Sequence, residues 1–288
     1  MIAAMPSSSI SDLHLHSDVS DGVLSPQALM ALVARQGVGL AALTDHDSLE
    51  GCEMAQQAAA DLGLRCLAGV EVTCGWRGQE LHVIALAPRI LPPGEDSALS
   101  QHLARVRALR RSRLQAIADR LETKSDLPAR RLIAPLLAAS RVPTRLHLAR
   151  ALVEAGHARD VADAFDRWLS RGTPGHVPAN WPTLEETLAV LQSSGATIVL
   201  AHPHRYRVSA GVLNQLVGEF AGGGGQALEV SVGGMARNDL DRIATLTRRH
   251  RLAASCGSDF HDPEVPWNPP GRFAKLPDDL EPVADRLR

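Results

Sequence analysis

Short apolar runs alternate with amphipathic stretches along most of this chain. Runs of about four to eight apolar residues between turn residues predict strands, and apolar residues three or four positions apart predict helices. Strands are predicted at residues 9–16, 38–43, 65–70, 80–86, 197–201, 227–232 and 252–256. Helices are predicted from Ser25 to Gly37 and at residues 50–62, 184–194, 212–220 and 238–250. This alternation favours an α/β fold. The strand at 80–86 is predicted to run antiparallel to its neighbour, because few residues separate the two.

The alternation lapses between residues 96 and 171, where the pattern is helical throughout. A long first helix is indicated by apolar residues that share one face: Leu99, Leu103, Val106, Leu109, Leu114, Ile117 and Leu121. Shorter helices are predicted at residues 129–139, 144–155 and 160–170. We therefore predict an α/β domain made of residues 10–95 and 178–288, interrupted by an all-helical insertion at residues 96–177.

The composition is that of an ordinary globular protein. Hydrophobic residues make up 45% of the 288 positions but aromatic residues only 3%, so the core is expected to consist mostly of Leu, Val, Ile and Ala. No apolar stretch approaches the ~20 residues of a membrane span. The amino terminus shows no secretory signal pattern, and the four cysteines have no zinc-finger or redox spacing. We expect a cytoplasmic protein with reduced thiols.

The net charge of −2 hides an uneven distribution. Residues 99–150 hold twelve Lys or Arg against three acids, a balance of +9, so the rest of the chain carries −11. Five of these cations fall within nine residues of the predicted long helix: Arg105, Arg107, Arg110, Arg111 and Arg113. Two interpretations stay open, namely a solvated helix face and a surface that binds a phosphate-bearing ligand or nucleic acid.

Histidines and acids recur in or just after the predicted strands. Six of the twelve histidines and three acids form this set: His14, His16, Asp21, His46, Glu71, His82, His202, Asp259 and His261. Side chains at the carboxyl ends of strands are brought together in α/β barrels. Imidazole with carboxylate suits Mn, Zn, Fe or Mg rather than Ca. Asp12, Asp18, Asp45 and Asp47 are predicted to orient the ligand imidazoles or shape turns.

Nine ligands are too many for one ion and fit two or three ions that share a bridging carboxylate. Three divalent ions carry +6, while Asp21, Glu71 and Asp259 supply −3, which leaves about +3. A phosphate dianion with one hydroxide would balance that charge. The set therefore predicts phosphoester hydrolysis with an ion-bound hydroxide as the nucleophile.

Several motifs of the chain resemble the PHP (polymerase and histidinol phosphatase) superfamily. They are His14-Leu15-His16, Thr44-Asp45-His46, Gly69-Val70-Glu71 and Gly257-Ser258-Asp259-Phe260-His261. The resemblance extends across nearly the whole chain and is greatest to the branch of 3′,5′-nucleoside bisphosphate phosphatases, some of which are also 5′-to-3′ exoribonucleases. Matches to that branch include Val177-Pro178-Ala179-Asn180-Trp181 and Ala201-His202-Pro203-His204-Arg205-Tyr206.

The resemblance implies a distorted seven-stranded (β/α)7 barrel with a helical insertion and a trinuclear metal site, with manganese as the expected ion. It assigns one ion to His14, His16, Glu71 and Asp259, a second to Asp21, His46 and His261, and a third to Glu71, His82 and His202. Phosphate contacts are expected from these residues: Ser17, Arg110, Arg113, Arg145 and Arg205. A nucleotide or short RNA is the expected substrate, and no protein partner is indicated.

The chain departs from the superfamily pattern after the insertion. Where relatives have Gly-Lys-x-Gly-Tyr-Val, this chain has Gly172-Thr173-Pro174-Gly175-His176-Val177, so that Thr173 replaces a lysine. Two other functions therefore remain open. One is a phosphatase for another small phosphomonoester such as histidinol phosphate, against which the basic insertion argues. The other is a non-catalytic binding module, against which the complete ligand set argues.

Overall fold

The computed structural model describes residues 10–87 and 97–287. The strands are β1 (Ile10–Leu15), β2 (Val38–Leu43), β3 (Arg65–Trp76), β4 (Gln79–Leu86), β5 (Thr197–Leu200), β6 (Ala227–Val232) and β7 (Ala253–Gly257). The helices are α1 (Pro26–Arg35), α2 (Cys52–Asp61), α3 (Ala98–Ser125), α4 (Ala129–Ala139), α5 (Arg145–Glu154), α6 (Val161–Ala164), α7 (Leu184–Ser193), α8 (Ala210–Gly222), α9 (Arg237–His250) and α10 (Val283–Arg286). Short π-helical and 3₁₀ turns lie at Phe165–Leu169 and Pro203–Arg205.

The strands form one mixed sheet in the order in which they occur along the chain. Neighbouring strands are parallel except at β4, which pairs antiparallel with both β3 and β5. The first and last strands approach each other, because the amide of Asp259 donates to the carbonyl of His14 and the amide of His16 donates to the carbonyl of Phe260. The sheet is thereby nearly closed into a barrel. This confirms the predicted α/β barrel and the predicted antiparallel strand.

Local sequence explains where the first elements begin and turn. The Ser25 hydroxyl accepts a hydrogen bond from the amide of Ala28, and Pro26 occupies the first helical position of α1, as capping chemistry favours. The tight turn between β3 and β4 uses Arg77 and Gly78, both with positive φ. Because this turn has only two residues, β4 must return alongside β3.

The barrel interior changes from apolar to polar along its axis. One buried cluster receives side chains from all seven strands: Leu13, Leu40, Ala42, Leu67, Ile84, Leu86, Val199, Ala227 and Ala253. Alternation along a strand keeps positions i and i+2 on the same face. Glu71 and His82 therefore share the interior with Leu67 and Ile84, but nearer the carboxyl ends of the parallel strands. The apolar layer forms a floor beneath the polar one.

The long helix α3 belongs to two hydrophobic clusters. Leu99 and Leu103, in its first half, are buried with residues of α7, α8 and the outer face of the sheet. Leu114, Ile117 and Leu121, in its second half, are buried with α4, α5 and α6 in a separate cluster. The helical segment thus has its own small core, joined to the barrel through one continuous helix.

Most predicted elements are present with ends shifted by a few residues. Strand β3 is longer than predicted, since it continues through Glu71 to Trp76. The helix predicted at 160–170 is a short α-helix followed by a π-helical turn. The described residues do not include Ser9 and the rest of the amino-terminal segment, or residues 88–96, where the insertion is predicted to start. The division into two domains therefore stays a prediction. None of the described helices combines the length and apolar character needed to cross a bilayer.

Candidate metal centre

The nine predicted ligand residues come together at the carboxyl end of the barrel. His14 and His16 lie two positions apart on and just after β1, and their ring centroids are 5.0 Å apart. Glu71 and His82 come from the antiparallel pair β3 and β4. The other ligands follow strands: Asp21, His46, His202, Asp259 and His261. Their side chains form one contiguous group, in which neighbouring imidazole centroids are 4.1–6.2 Å apart.

Glu71 occupies the middle of the group. Its Oε1 lies 3.4 Å from Nε2 of His14, 3.0 Å from Nδ1 of His82 and 2.9 Å from Nε2 of His202. Its Oε2 lies 3.3 Å from Nε2 of His16 and 2.9 Å from Nδ1 of His46. A single carboxylate therefore faces five imidazoles. This is the position that a carboxylate bridging two cations would occupy.

Three sets of ligand atoms within the group are compact enough to hold an ion each. In each set the atoms lie within 4.8 Å of one another: His16, Asp21, His46 and His261; His14, His16 and Asp259; His46, Glu71 and His82. His202 is outside these sets, but its ring contacts Glu71 and lies 5.2 Å from the ring of His82.

Several buried atoms of the group lack a hydrogen-bond partner among the residues that the structure describes. Both ring nitrogens of His16, Nε2 of His14, Oδ1 of Asp21 and Oε2 of Glu71 are in this state. Each buried unsatisfied polar atom costs about 1–3 kcal/mol. Convergence of so many of them in one place fits divalent cations, which would satisfy imidazole and carboxylate lone pairs together.

Electrostatics keeps the acids of the group ionised. Burial raises the pKa of Glu71, but the neighbouring His46, His82 and His14 outweigh it and bring the pKa well below its usual value. The pKa of Asp259 is lowered in the same way by Arg205 and His14, against the effect of burial. For His16, burial lowers the pKa, yet the carboxylates of Asp259 and Glu71 raise it to about 10. The carboxylates of Glu71 and Asp259 therefore stay ionised despite their burial.

Glu229 on β6 is a residue of the centre that the sequence interpretation missed. Its Oε1 lies 2.9 Å from Nδ1 of His14, and its Oε2 accepts a hydrogen bond of 2.6 Å from the amide of His202. It fixes the ring of His14 so that Nε2 points to the cluster. His202 has a positive φ of 29°, so the bond to its amide also holds a strained backbone. The one acid in the predicted strand 227–232 was the available signal.

Four acids were predicted either to orient the ligand imidazoles or to shape turns, and the contacts of three of them are with loops. Asp45 accepts hydrogen bonds from the amide and hydroxyl of Ser17, and Asp12 accepts bonds from the amides of Ser258 and Gly271. Asp47 accepts bonds from Thr73 and Arg110. No bond between Asp18 and a ligand imidazole is found among the described residues. Asp12, Asp45 and Asp47 thus fix loops and turns around the site, which is the second of the two roles predicted for them.

A cavity of about 230 Å³ opens above the metal ligands. Asp21, His46, His82 and His261 lie on one side of it. The other side is formed by residues of the helical segment and by Trp181: Arg110, Arg113, Leu114, Ile117, Pro143, Thr144, Arg145, Leu146 and Phe165. The cavity therefore lies between the barrel and the helical segment.

The five expected phosphate contacts lie around the centre, each with a partner of its own. Arg113 and Arg145 line the cavity and pair with Glu80 at 2.5 and 3.0 Å. Arg110 also lines the cavity, but it is only 8% exposed and its Nε donates to Asp47 at 2.6 Å. Arg205 pairs with the predicted ligand Asp259. Ser17 is fully buried and bound to Asp45.

Glu80 connects the barrel with the helical segment, and the sequence interpretation did not include it. Its carboxylate accepts hydrogen bonds from Arg113, Arg145 and the indole nitrogen of Trp181, the last at 2.9 Å. It also lies 3.8 Å from Nε2 of His82, two positions further along β4. The i, i+2 spacing of Glu80 and His82 was the signal that could have found it.

Much of the positive charge of residues 99–150 is directed at the barrel. Arg107 donates to the carbonyl of Asp47 at 2.9 Å, and Arg150 donates to the carbonyl of Asp21 at 2.6 Å. Arg141 pairs with Glu50 at 2.9 Å, and Arg105 lies 3.8 Å from Glu186. Many of these arginines hold the helical segment against the barrel. The arginine cluster is therefore not a purely solvated helix face, and it is not a surface given over entirely to ligand binding.

Comparison with known proteins agrees with this geometry. The model of the PHP domain family matches residues 12–124. Over 276 residues the chain is 41% identical to the 5′-3′ exoribonuclease Rnm of Escherichia coli (strain K12), and the alignment covers 95% of this chain and 92% of that protein. It is 34% identical over 277 residues to the 3′,5′-nucleoside bisphosphate phosphatase of Chromobacterium violaceum, with 94% of each covered.

A solved structure shares the fold over nearly all of this chain. An amidohydrolase from Chromobacterium violaceum, solved with bound sulfate and no metal, superposes with a TM-score of 0.89 at 33% identity. The superposition covers 97% of this chain and 96% of that one. With this likeness in sequence and fold, and with a buried histidine–carboxylate cluster at the carboxyl end of its barrel, the chain belongs to the PHP domain family and is a metal-dependent phosphoesterase.

Proposed function

We propose that this enzyme removes phosphate from 3′,5′-nucleoside bisphosphates and also cleaves short 5′-phosphorylated RNA. The observation that carries the proposal is the cavity between the barrel and the helical segment. It joins metal ligands on one wall to arginines, aromatic rings and apolar side chains on the other. The names of the relatives from Escherichia coli and Chromobacterium violaceum support the same substrates.

We assign three divalent ions to the nine ligand residues. The first is held by His14, His16, Glu71 and Asp259, the second by Asp21, His46 and His261, and the third by Glu71, His82 and His202. The compact sets of ligand atoms support the first two assignments, and the contacts of Glu71 with His82 and His202 support the third. A mixture of imidazole and carboxylate donors suits Mn, Zn, Fe or Mg, and manganese is the ion we favour among these.

When bound, the ions would supply an activated water and neutralise the charge of the phosphoryl group. The chain's own residues then place the substrate. A guanidinium can hold a phosphate through two parallel hydrogen bonds, and Arg113 and Arg145 present theirs at the cavity wall. Arg205, beside Asp259 and 43% exposed, is placed to contact the phosphate nearest the ligands. Ser17 and Arg110 enter this proposal from the family resemblance alone.

The apolar part of the cavity suits a nucleoside. Trp181 and Phe165 offer ring faces, and the guanidiniums of Arg113 and Arg145 already lie 5.5 and 5.8 Å from these rings. A nucleobase stacks on such surfaces with little dependence on its identity. A small phosphomonoester without a base would leave this wall without a partner. We also place the enzyme in the cytoplasm, since all four cysteines are unpaired.

The proposal is tested by measuring phosphate or nucleotide release from adenosine 3′,5′-bisphosphate, from adenosine 5′-monophosphate and from a 5′-phosphorylated oligoribonucleotide. Each substrate is assayed with Mn, Mg and Zn. We expect the highest kcat/KM on the bisphosphate or the oligoribonucleotide with Mn. Equal efficiency on the bisphosphate and the monophosphate would instead favour a general phosphomonoesterase, with histidinol phosphate as the next substrate to assay.

A further inference from the structure

A second cleft lies on the helical segment, beyond the metal cavity. It has a volume of about 520 Å³ and is open to solvent. Its lining contains cationic and neutral residues and no acid: Arg120, Lys124, Gly172, Thr173, Pro174 and His176. Lys124 is exposed and has no ion-pair or hydrogen-bond partner among the residues that the structure describes. The cleft therefore offers positive charge that the fold does not use.

Helix α3 connects this cleft with the metal cavity. Arg113 and Ile117 line the cavity, whereas Arg120 and Lys124 line the cleft. Residues spaced i, i+4, i+7 and i+11 lie along one face of a helix. At 1.5 Å per residue, the distance from Arg113 to Lys124 along the axis is about 16 Å. One face of a single helix thus carries cations from the metal site outwards.

A chain segment packed beside α3 completes this surface. Arg113 donates through Nε to the carbonyl of Val177 at 3.1 Å, and Arg120 donates through Nε to the carbonyl of Pro174 at 3.2 Å. The bond to Pro174 fixes the guanidinium of Arg120 and leaves its terminal nitrogens able to bind an anion, whereas one terminal nitrogen of Arg113 also donates to Glu80.

His176 lies between these two contacts. Burial lowers its pKa, and the positive charges of Arg113, Arg171, Arg145 and Arg120 lower it further. His176 is therefore close enough to arginines of both the cavity and the cleft to feel their charge.

We infer that the cleft formed by Arg120, Lys124 and the loop 172–176 binds the sugar–phosphate backbone of a single-stranded RNA whose 5′ end occupies the metal cavity. This inference rests on the proposed action on RNA. Cations along a groove are how proteins follow a single strand without reading its sequence. A mononucleotide held at the cavity beside Arg113 would not reach Lys124, which lies about three helical turns further along α3. The cleft therefore separates RNA from mononucleotide substrates.

The direct test is RNA binding without catalysis. A fluorescent 5′-phosphorylated oligoribonucleotide is titrated with protein in the presence of chelator, and anisotropy gives Kd over a range of salt concentrations. Lys124→Glu should weaken binding several-fold. The slope of log Kd against log salt should fall by about 0.7 for each cation removed. Arg120→Ala should do the same, and Arg120→Lys should restore part of the affinity.

A gain-of-function variant guards against effects of misfolding. Thr173→Lys places a further cation in the cleft and should tighten binding, with a slope steeper by about 0.7. Arg249→Ala is the matched control, because it removes one charge at the carboxyl end of α9, opposite the metal site. It should leave Kd and the salt slope unchanged. If Lys124→Glu and Thr173→Lys both bind RNA like the unmodified protein, the inference is overturned.

Kinetics with metal ions separate this inference from the proposed function. Lys124→Glu should raise KM for the oligoribonucleotide and leave kcat and KM for adenosine 3′,5′-bisphosphate unchanged. If Lys124→Glu lost kcat/KM equally on both substrates, the substitution would be disturbing the metal cavity rather than RNA binding, and the inference would be overturned. If the unmodified protein hydrolyses neither substrate but binds RNA through Lys124, the proposed function fails while the assignment of the cleft stands.

Discussion

The carboxylate of Glu229 shows how much of the metal centre depends on a residue that no motif includes. It contacts the ring of His14 and the backbone of His202, and these belong to two different ion sites in our assignment. Partners that fix a ligand ring are worth about 10–100-fold in metal affinity or activity. The effect of losing Glu229 should therefore spread beyond one ion.

We expect Glu229→Gln to lower manganese affinity and kcat/KM by about 10–100-fold. The amide of Gln keeps the size of the side chain, but its NH₂ group would face either the ring nitrogen of His14 or the backbone amide of His202, and both of these are donors. Calorimetric titration with manganese and the phosphate-release assay measure the two effects. Glu219→Gln is the matched control, since Glu219 on α8 pairs with Trp76 and Arg77 away from the centre. Equal behaviour of the two variants would show that Glu229 is not needed to orient His14.

Arg205 and Arg145 should act on the substrate more than on stability. Lysine keeps the charge but cannot reproduce the two-pronged contact of a guanidinium with a phosphate. Arg205→Lys and Arg145→Lys should each raise KM or lower kcat while Tm changes by no more than about 2 °C, because partly exposed ion pairs contribute little to folding. Both are measured by steady-state kinetics and thermal unfolding. Variants that melt far lower with unaltered kinetics would show that these arginines are structural.

At the scale of elements, the contact between β1 and β7 decides whether the ligands of the two strands meet. Gly257 lies directly beside His14. A Cβ atom at Gly257 would be 2.4 Å from the Cβ of His14 and 2.8 Å from its backbone nitrogen. The backbones at His14 and Gly257 can move apart only if strands β1 and β7 separate. The closure of the barrel and the position of His14 therefore depend on the same missing side chain.

Gly257→Ala should lower the free energy of unfolding by about 1–3 kcal/mol, as overpacked cores do, and reduce turnover more than tenfold. Denaturant unfolding and the phosphatase assay measure these changes. Gly211→Ala is the control: it lies in α8 with no heavy atom within 4 Å of an added Cβ, so stability should rise by about 0.4–1 kcal/mol. A Gly257→Ala protein as stable and active as the unmodified one would contradict the close contact.

Sequence and structure agree best where an element carries its own signal. The strands, the amphipathic helix α3 and the histidines at strand ends could be predicted, because period and spacing are local properties. Glu80 and Glu229 each have only a weak local signal: Glu80 lies two positions before His82, and Glu229 is the one acid of strand β6. Only the closed barrel shows what their carboxylates face. The partners of the arginines depend on how the helical segment sits on the barrel, which no local pattern encodes.

At the scale of the whole molecule, bound ions should contribute to folding stability. A ligand at a hundredfold excess over its Kd stabilises the native state by about 2.7 kcal/mol for each site. We expect manganese to raise Tm by several degrees and elemental analysis to find close to three ions per chain. His14→Ala should bind fewer ions and lose turnover. One ion or none in the unmodified protein after loading would contradict the trinuclear assignment.

Helix α3 passes from the barrel core into the core of the helical segment without a break. The distance between the metal site and Lys124 is therefore fixed by the length of α3, since a helix lengthens only by unwinding. An RNA long enough to span this distance is bound both at the metal site and at Lys124, whereas a shorter RNA is bound at the metal site alone. Degradation of a long strand should consequently be fast at first and slow at the last few nucleotides, and the length at which the rate falls should report the span of α3.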